Sequence, residues 1–445
     1  MSSPATQPAL PELARDEGAR PPHGGWRYFA CGLAVTLLLV AAKSLVEATP
    51  AGPWIERDTR GFLFALMSPF REDGPDTTVL DISTIPGGEI DPGTAVTRTT
   101  SRKELRRLLE TLDRMLTPPA AVGIDVDFGV TPGGWADPGD AAFFDYCLEL
   151  NRRFPVRLGV WRSLGSPTGN WLGLPRYRPL AAAIYASDPD AGAVPVWVEM
   201  PGKAPRLLTL GASLAAALGP AADDPLSLAG QGGPLHRWMF EEATERVSTK
   251  PPLRRAIRTL EAPVNYALVR QMERETLRGI EPRDIAMYAD RLQGHIVILG
   301  EVRDAAPSDR FRIPGDPVDR PGAFLHAAQA FTLTSDPIFE FSHGFRLAVD
   351  IAIPVAIMLG VLALRRRTKA GEAREGQAEG ADHGAAETWA LRGAAVAVVL
   401  GAIVLLVAWR IFWLDFVLVM LFLLLHKPFE SWVQRRLAAR RKAPA

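Results

Sequence analysis

The sequence predicts an α/β fold: a mixed, mostly parallel sheet with helices on both faces, joined to α-helical membrane segments. Two observations lead to this prediction. Short runs rich in Val, Ile and Leu alternate with helical periods between residues 77 and 300, which is typical of a sheet covered by helices. Longer apolar runs lie at residues 28–46, 347–364, 391–409 and 411–425, each near the length that crosses a bilayer.

The predicted elements of the α/β domain follow from two periodicities. Buried strands are expected where β-branched and apolar residues run together, at residues 77–82, 120–128, 156–161, 191–199 and 295–300. Helices are expected where leucine recurs with a helical period or a turn opens an apolar run, at residues 101–116, 137–154, 207–218 and 321–330. Residues 220–260 carry little strand signal and are expected to form a surface insertion, with a short strand or turn at 264–266.

The positions of basic residues predict the direction in which the apolar runs cross the membrane. Arg365, Arg366 and Arg367 follow the second run and a basic tail follows the fourth, so the positive-inside rule places both in the cytoplasm. Basic residues also precede the first run, which is interpreted as a retained signal anchor. The last two runs then form a hairpin that turns at the outer face around Arg410.

The predicted topology divides the chain into cytoplasmic, membrane and outer segments. They are a disordered cytoplasmic tail (1–27), a membrane helix (28–46), an extracytoplasmic domain (47–346), a second membrane helix (347–364), a cytoplasmic loop (365–390), two further membrane helices (391–409 and 411–425) and a basic cytoplasmic tail (427–445).

Composition and motifs narrow the classes of function. The Lys+Arg count of 50 equals the Asp+Glu count of 50, which gives no reason to expect nucleic-acid binding. The outer domain holds one cysteine, Cys147, so a large hydrophobic core must stabilise it without an intrachain disulfide. The sequence has no phosphate loop with its lysine, no nucleophile elbow, no HExxH and no helical pair of histidines. We therefore expect no catalytic residues, no metal site and no cofactor.

Five residues are candidates for a ligand site. Asp81, Asp125 and Asp127 lie on or at the ends of apolar strands, where a carboxylate needs a partner. One interpretation places them beside Asp309 and His326 in a crevice at the strand ends, where they bind a polar ligand or a cation. The other holds that they cap helices, pair with arginine or fix the loops of the fold.

Several membrane-proximal features also leave two interpretations open. Asp350 and Asp415 fall inside membrane runs, where they either pair with Arg346, Arg410 or water, or mark a proton pathway. Residues 53–71 form either an interfacial amphipathic helix or a helix packed on the outer domain. The basic helix at residues 429–441 either lies on anionic lipid or docks a partner.

Short segments spread along the chain resemble the second type of CHASE domain, an extracellular sensory domain associated with cyclases and histidine kinases. The segments are residues 79–82, 123–128, 264–266, 292–300, 309–314 and 321–327. The layout, with one membrane helix before the domain and three after it, fits the same family. Family members usually carry a cytoplasmic output domain after the last membrane helix, whereas only residues 427–445 remain here.

The resemblance implies a membrane sensor in the bacterial inner membrane, with its main domain periplasmic or extracellular. It is expected to detect an unknown ligand or protein and to signal to a separate cyclase, kinase or protease-like effector, in contact with membrane lipid and as a homodimer. Two alternatives stay open: a structural or assembly subunit of an envelope complex, and a metal-dependent ectoenzyme.

Overall fold

A computed structural model gives the fold and describes residues 24–67, 76–89, 98–128, 139–161, 171–184, 193–199, 206–219, 234–240, 244–248, 257–277, 282–305, 307–375, 383–413 and 415–442. The chain divides into two compact units. The first comprises Met1–Ala41, Asp350–Ala397 and Leu418–Ala445, whose described residues are helical, and the second, an α/β unit, comprises Ala42–Val349 and Val398–Val417. Most of the predicted disordered tail, residues 1–23, lies outside the described residues.

The elements are numbered in chain order. The helices are α1 (Gly24–Glu47), α2 (Ala51–Met67), α3 (Arg102–Asp113), α4 (Asp140–Leu150), α5 (Leu210–Leu218), α6 (Pro234–Met239), α7 (Val269–Arg274), α8 (Gly322–Thr334), α9 (His343–Glu375), α10 (His383–Trp409) and α11 (Phe416–Lys442). The strands are β1 (Thr77–Asp81), β2 (Gly87–Glu89), β3 (Arg98–Thr100), β4 (Ala121–Asp125), β5 (Val156–Val160), β6 (Ala181–Ala183), β7 (Ala193–Glu199), β8 (Leu207–Leu208), β9 (Thr244–Ser248), β10 (Ile257–Pro263), β11 (Ile296–Gly300), β12 (Arg310–Phe311), β13 (Arg320–Pro321), β14 (Phe339–Glu340) and β15 (Ile411–Phe412).

A five-stranded parallel sheet forms the centre of the α/β unit, in the order β1-β11-β4-β5-β6. This confirms the predicted mixed α/β fold with a mostly parallel sheet. The strands are buried on both faces, which explains why their sequences are mostly apolar rather than alternating.

Helices cover both faces of the sheet, and alternate residues of each strand point to opposite sides. Leu80 and Leu299 pack with the leucines of α3 and the aromatic residues of α4. Val79 and Ile298 pack on the other side with α5, α8 and the buried face of α2. Because side chains alternate, Asp81 and Asp125 at the strand ends face the same side as Val79, the side that α8 covers.

A second sheet is antiparallel, in the order β8-β7-β10-β9. It corrects the expectation that residues 220–260 form a surface insertion, because β9 and the start of β10 lie in that segment. Ile257 and Leu260 are buried, and polar residues lie between and directly after them, so pairing with β7 decides the conformation of β10 against weak local propensity. Residues 264–266, expected to form a strand or turn, are a loop after β10, and residues 220–233, 241–243 and 249–256 lie outside the described residues.

Within the described part of the chain, four helices are long and apolar enough to cross a membrane: Tyr28–Glu47, His343–Leu364, Trp389–Trp409 and Phe416–Val433. They support the prediction of a membrane protein with membrane-spanning helices. The fourth begins at Phe416 rather than at residue 411, because Ile411 and Phe412 pair with β14 instead. The predicted loop at 365–390 is also shorter, since α9 continues to Glu375 through residues that favour helix and α10 begins at His383. Residues 376–382 of that loop are not among the described ones.

The ends of three apolar helices, α1, α9 and α11, meet at one carboxylate inside the α/β unit. Asp415, just before α11, lies 2.6 Å from Lys43 Nζ near the end of α1 and 3.6 Å from Arg346 Nε in the first turn of α9. Asp415 is buried. Arg346 was one of its expected partners, whereas the sequence did not predict Lys43 as a partner.

Candidate functional site

The carboxyl ends of the central strands bring two of the candidate aspartates to the same level. Asp81 at the end of β1 is in register with Gly300 of β11, and Gly300 is in register with Asp125 of β4. Gly300 lets α8 approach closely, because a Cβ atom built there would lie 2.6 Å from the Cβ of Ala323 and 3.5 Å from Oδ2 of Asp125. The beginning of α8 therefore lies against the carboxyl edge of the sheet, where ligands bind in open α/β folds.

Asp125, Asp309 and His326 are the candidates that the fold brings together. Oδ1 of Asp125 lies 3.7 Å from Nε2 of His326, and both side chains are buried. Asp309 approaches from the loop before β12 and accepts a hydrogen bond from the backbone N–H of Gly322, the first residue of α8. A Cβ atom at Gly322 would lie 2.5 Å from Oδ1 of Asp309, so only glycine permits this approach. We refer to Asp125, Asp309, His326 and the neighbouring Glu301 as the acidic cluster.

Asp81 and Asp127 have structural partners, as the second interpretation expected. Asp81 Oδ1 accepts hydrogen bonds from the backbone N–H groups of Ser83 and Val302, both at 3.0 Å, and thereby fixes the turns after β1 and β11. Asp127 accepts a hydrogen bond from the backbone N–H of Trp161 at 2.9 Å. Both side chains bind backbone donors close to their own strands, so the geometry gives them a role in loop architecture.

Burial changes the protonation of the acidic cluster. The pKa of Asp125 is raised, first by burial and then by the negative charges of Asp309 and Glu301. Burial also raises the pKa of Asp309 to about 7; Glu301 adds to the rise, while the Gly322 N–H and Arg310 oppose it. Because the charge of Asp309 disfavours ionisation of Asp125, these two carboxyl groups titrate as a pair rather than independently.

His326 is held neutral within the cluster. Burial lowers its pKa to about 4, so the ring carries no charge at neutral pH. Its Nδ1 atom is buried and has no hydrogen-bond partner among the described residues. A buried, unsatisfied ring nitrogen is unfavourable by itself, and a role in binding is one explanation for its presence. Together these groups can bind and release protons, and they can bind a ligand that donates hydrogen bonds.

Glu301 is the member that sequence reasoning missed. It follows Gly300 directly and is exposed, yet its charge raises the pKa of both Asp125 and Asp309. Its position immediately after a buried strand was the available signal. Within the described residues, no group of three or more His, Cys, Asp or Glu side chains has an arrangement that could hold a metal ion.

Comparison with known proteins finds no matching family model, no matching curated protein and no matching solved structure. The resemblance to the second type of CHASE domain therefore stays a prediction, and function is inferred from the geometry of the chain itself.

Proposed function

We propose that this protein is an integral membrane sensor of the kind that the second type of CHASE domain implies. Its α/β unit, on the extracytoplasmic side of a bacterial inner membrane, detects a signal. The membrane helices carry the resulting change to a separate cytoplasmic effector, a cyclase, kinase or protease-like protein. The chain itself performs no catalysis in this proposal.

The single observation that supports the proposal most is the position of α8, which connects the acidic cluster to the membrane-helix hairpin. Near its beginning, Gly322 binds Asp309 and His326 lies beside Asp125. Its 13 residues extend roughly 20 Å at 1.5 Å per residue. Just beyond its end, the Asp336 carboxylate forms an ion pair with Arg410, the residue at the turn between α10 and α11.

The turn between α10 and α11 is part of the α/β core rather than a free loop. The backbone N–H of Phe339 donates to the carbonyl of Arg410 at 3.0 Å, and β14 pairs in parallel with β15. Phe412 is buried in the same hydrophobic cluster as α8, with its ring 5.0 Å from that of Phe64. A shift of α8 would therefore move the hairpin, and the hairpin is covalently continuous with two membrane helices.

A signal can shift the protein from one conformation to another only if it binds the two conformations with different affinities. The acidic cluster offers that difference, because a change of its charge alters the interaction of Asp309 with the positive end of the α8 helix dipole. A ligand with hydrogen-bond donors and a change of proton concentration would act through the same contacts.

Affinity capture of the full-length protein from native membranes tests the proposal. We expect a cyclase, kinase or protease-like protein to be retained, and Arg410→Ala to change the activity of that effector without changing the amount bound. Arg303→Ala is the matched control, because Arg303 pairs with Asp304 at the surface. Retention of envelope assembly proteins alone would overturn the sensor proposal and support the assembly subunit.

A second experiment tests the orientation on which the proposal depends. A membrane-impermeant maleimide should label Leu116→Cys and Arg435→Cys from opposite sides of the membrane. Labelling of both from the same side would contradict the proposed topology.

A further inference from the structure

Helix α2 has two apolar faces, and only one of them is used in the fold. Leu63, Phe64 and Met67 pack into the core on the α8 side of the sheet. On the opposite face, Trp54, Ile55 and Phe62 are 58%, 46% and 55% exposed. Positions 54, 58 and 62 follow the spacing of one helix face.

A charge within the exposed face is paired locally. Asp58 lies between Trp54 and Phe62 in this spacing, and its carboxylate is 3.4 Å from Nε of Arg57. The pairing compensates the acidic charge, and the rest of the face remains a stripe of large apolar side chains.

The covalent chain keeps this stripe close to the end of a membrane-length helix. The apolar helix α1 ends at Glu47 and α2 begins at Ala51, so the ends of the two helices are at most about 14 Å apart along the chain. The contact is closer still, because a Cβ atom on Gly52 would lie 2.8 Å from the Cα of Glu47. The first turn of α2 therefore lies directly against the end of α1.

A second apolar element lies beside the beginning of another membrane-length helix. In α6, Leu235 and Trp238 are largely exposed. The Trp238 ring lies 5.0 Å from that of Phe345 in the first turn of α9, and the Ser342 hydroxyl donates to the Trp238 carbonyl at 2.6 Å. Exposed tryptophans thus occur beside both of these helix ends.

We infer that the exposed face of α2 lies in the lipid headgroup region of the bilayer, with α6 as a second contact. Tryptophan and large apolar residues favour this depth, where the ring is buried and its N–H stays hydrated. The sequence left open whether residues 53–71 pack on the outer domain or lie at the membrane surface; in this inference α2 does both, one face to each. Through α2, the bilayer surface then stabilises the same hydrophobic core that contains Phe412.

Site-directed spin labelling of the full chain in nanodiscs of phosphatidylethanolamine and phosphatidylglycerol tests the inference. The background carries Cys31→Ser, and Cys147 is buried and out of reach of the label. Labels are placed at Phe62→Cys and, separately, at Ile55→Cys. The matched control is Leu116→Cys, an exposed leucine that follows α3 on the opposite face of the sheet.

We expect labels at 62 and 55 to be relaxed several-fold more by oxygen, relative to a water-soluble nickel chelate, than the label at 116. Equal relaxation at all three positions would overturn the inference, because it would place the stripe in water. Exclusion of both reagents with dipolar broadening between labels would also overturn it, since the stripe would then contact a second copy of the chain.

Discussion

The guanidinium of Arg410 forms an ion pair with the carboxylate of Asp336, and the Asp336 side chain is only 1% exposed. Asp336 also accepts a hydrogen bond from the side-chain amide of Asn265, in the loop after β10. Arg410 itself has a φ of 56°, a left-handed conformation that is rare outside glycine. Interactions of the folded domain stabilise this turn, so the hairpin between α10 and α11 has a defined position.

Replacement of Arg410 by alanine should destabilise the α/β unit by roughly 1–3 kcal/mol, because a buried carboxylate loses a charged partner. The cost is expected to be smaller than for a fully buried pair because Arg410 is 41% exposed. Thermal unfolding of the full chain in nanodiscs measures the change. Asp336→Asn in the Arg410→Ala background should cost little more, since the charge that needed compensation is gone.

The surface pair Arg303–Asp304 provides the control for this measurement. Its side chains are 59% and 61% exposed and 3.4 Å apart. Arg303→Ala should leave the melting temperature almost unchanged. Equal losses in Arg410→Ala and Arg303→Ala would refute the structural role of the Arg410–Asp336 pair.

Asp309 should make stability depend on pH in the direction opposite to an ordinary carboxylate. Its pKa is raised to about 7 in the folded state, above roughly 4 in the unfolded chain. The folded state therefore binds more protons between these values, and the contribution of Asp309 to stability is full below pH 4 and lost as pH rises through 7. Asp309→Asn removes this loss, so its melting temperature should exceed that of the unmodified protein at pH 8 and match it near pH 4.

His326 opposes this dependence and must be separated from it. Its pKa is lowered to about 4 by burial, against roughly 6.5 when unfolded. The unfolded state binds more protons between pH 4 and 6.5, so this group costs stability as the pH falls. The stability of Asp309→Asn should thus decrease at acidic pH. In the unmodified protein, the raised pKa of Asp309 partly offsets this decrease. The same pH profile in both proteins would contradict the assigned shift of Asp309.

The central sheet was predictable because each parallel strand is buried on both faces and must be mostly apolar, as in Ile296–Gly300. Two strands of the second sheet, β9 and β10, were not predictable, because their sequences carry Arg and Glu among the apolar residues. Their conformation follows from antiparallel pairing of β10 with β7 and of β9 with β10, and the first of these is a long-range contact that no local pattern records.

The candidate site was predictable in part for the same reason. Asp125 lies at the end of a buried strand and His326 in the first turns of a helix, so the sheet edge brings both together. The sequence could not separate Asp125 from Asp81, since both are aspartates at strand ends. The difference lies in the following turns, where Ser83 and Val302 supply backbone donors to Asp81. Whether Asp125, Asp309 and His326 bind a ligand stays a prediction.

Cys147 should be chemically inert until the α/β unit unfolds. It lies on α4 with 0% exposure, so reagents cannot reach its sulfur. Burial also raises the pKa of its thiol, so the reactive thiolate does not form at neutral pH. In the Cys31→Ser background, we expect reaction with an aromatic disulfide reagent only at the rate of unfolding. Leu116→Cys in the same background should react at once, and fast modification of Cys147 without denaturant would disagree with its position in the core.

Asp415 should contribute more to stability than its sequence neighbourhood suggests, because Lys43 and Arg346 both approach it. These three residues come from the ends of α1, α9 and α11, so the carboxylate joins segments that are far apart in the chain. Asp415→Asn removes the charge while keeping the shape, and it leaves two cations without their shared partner. We expect a lower melting temperature in nanodiscs and faster proteolysis of the α/β unit.

Glu47→Gln is the matched control for Asp415→Asn, since it makes the same acid-to-amide change on another partner of Lys43. The Lys43–Glu47 distance is 3.7 Å and Glu47 is 46% exposed, so water already compensates much of its charge. Its melting temperature should stay within about 1 °C of the unmodified protein, because an exposed helical pair contributes only a few tenths of a kcal/mol. If Glu47→Gln and Asp415→Asn destabilise equally, the three helix ends are not joined through Asp415.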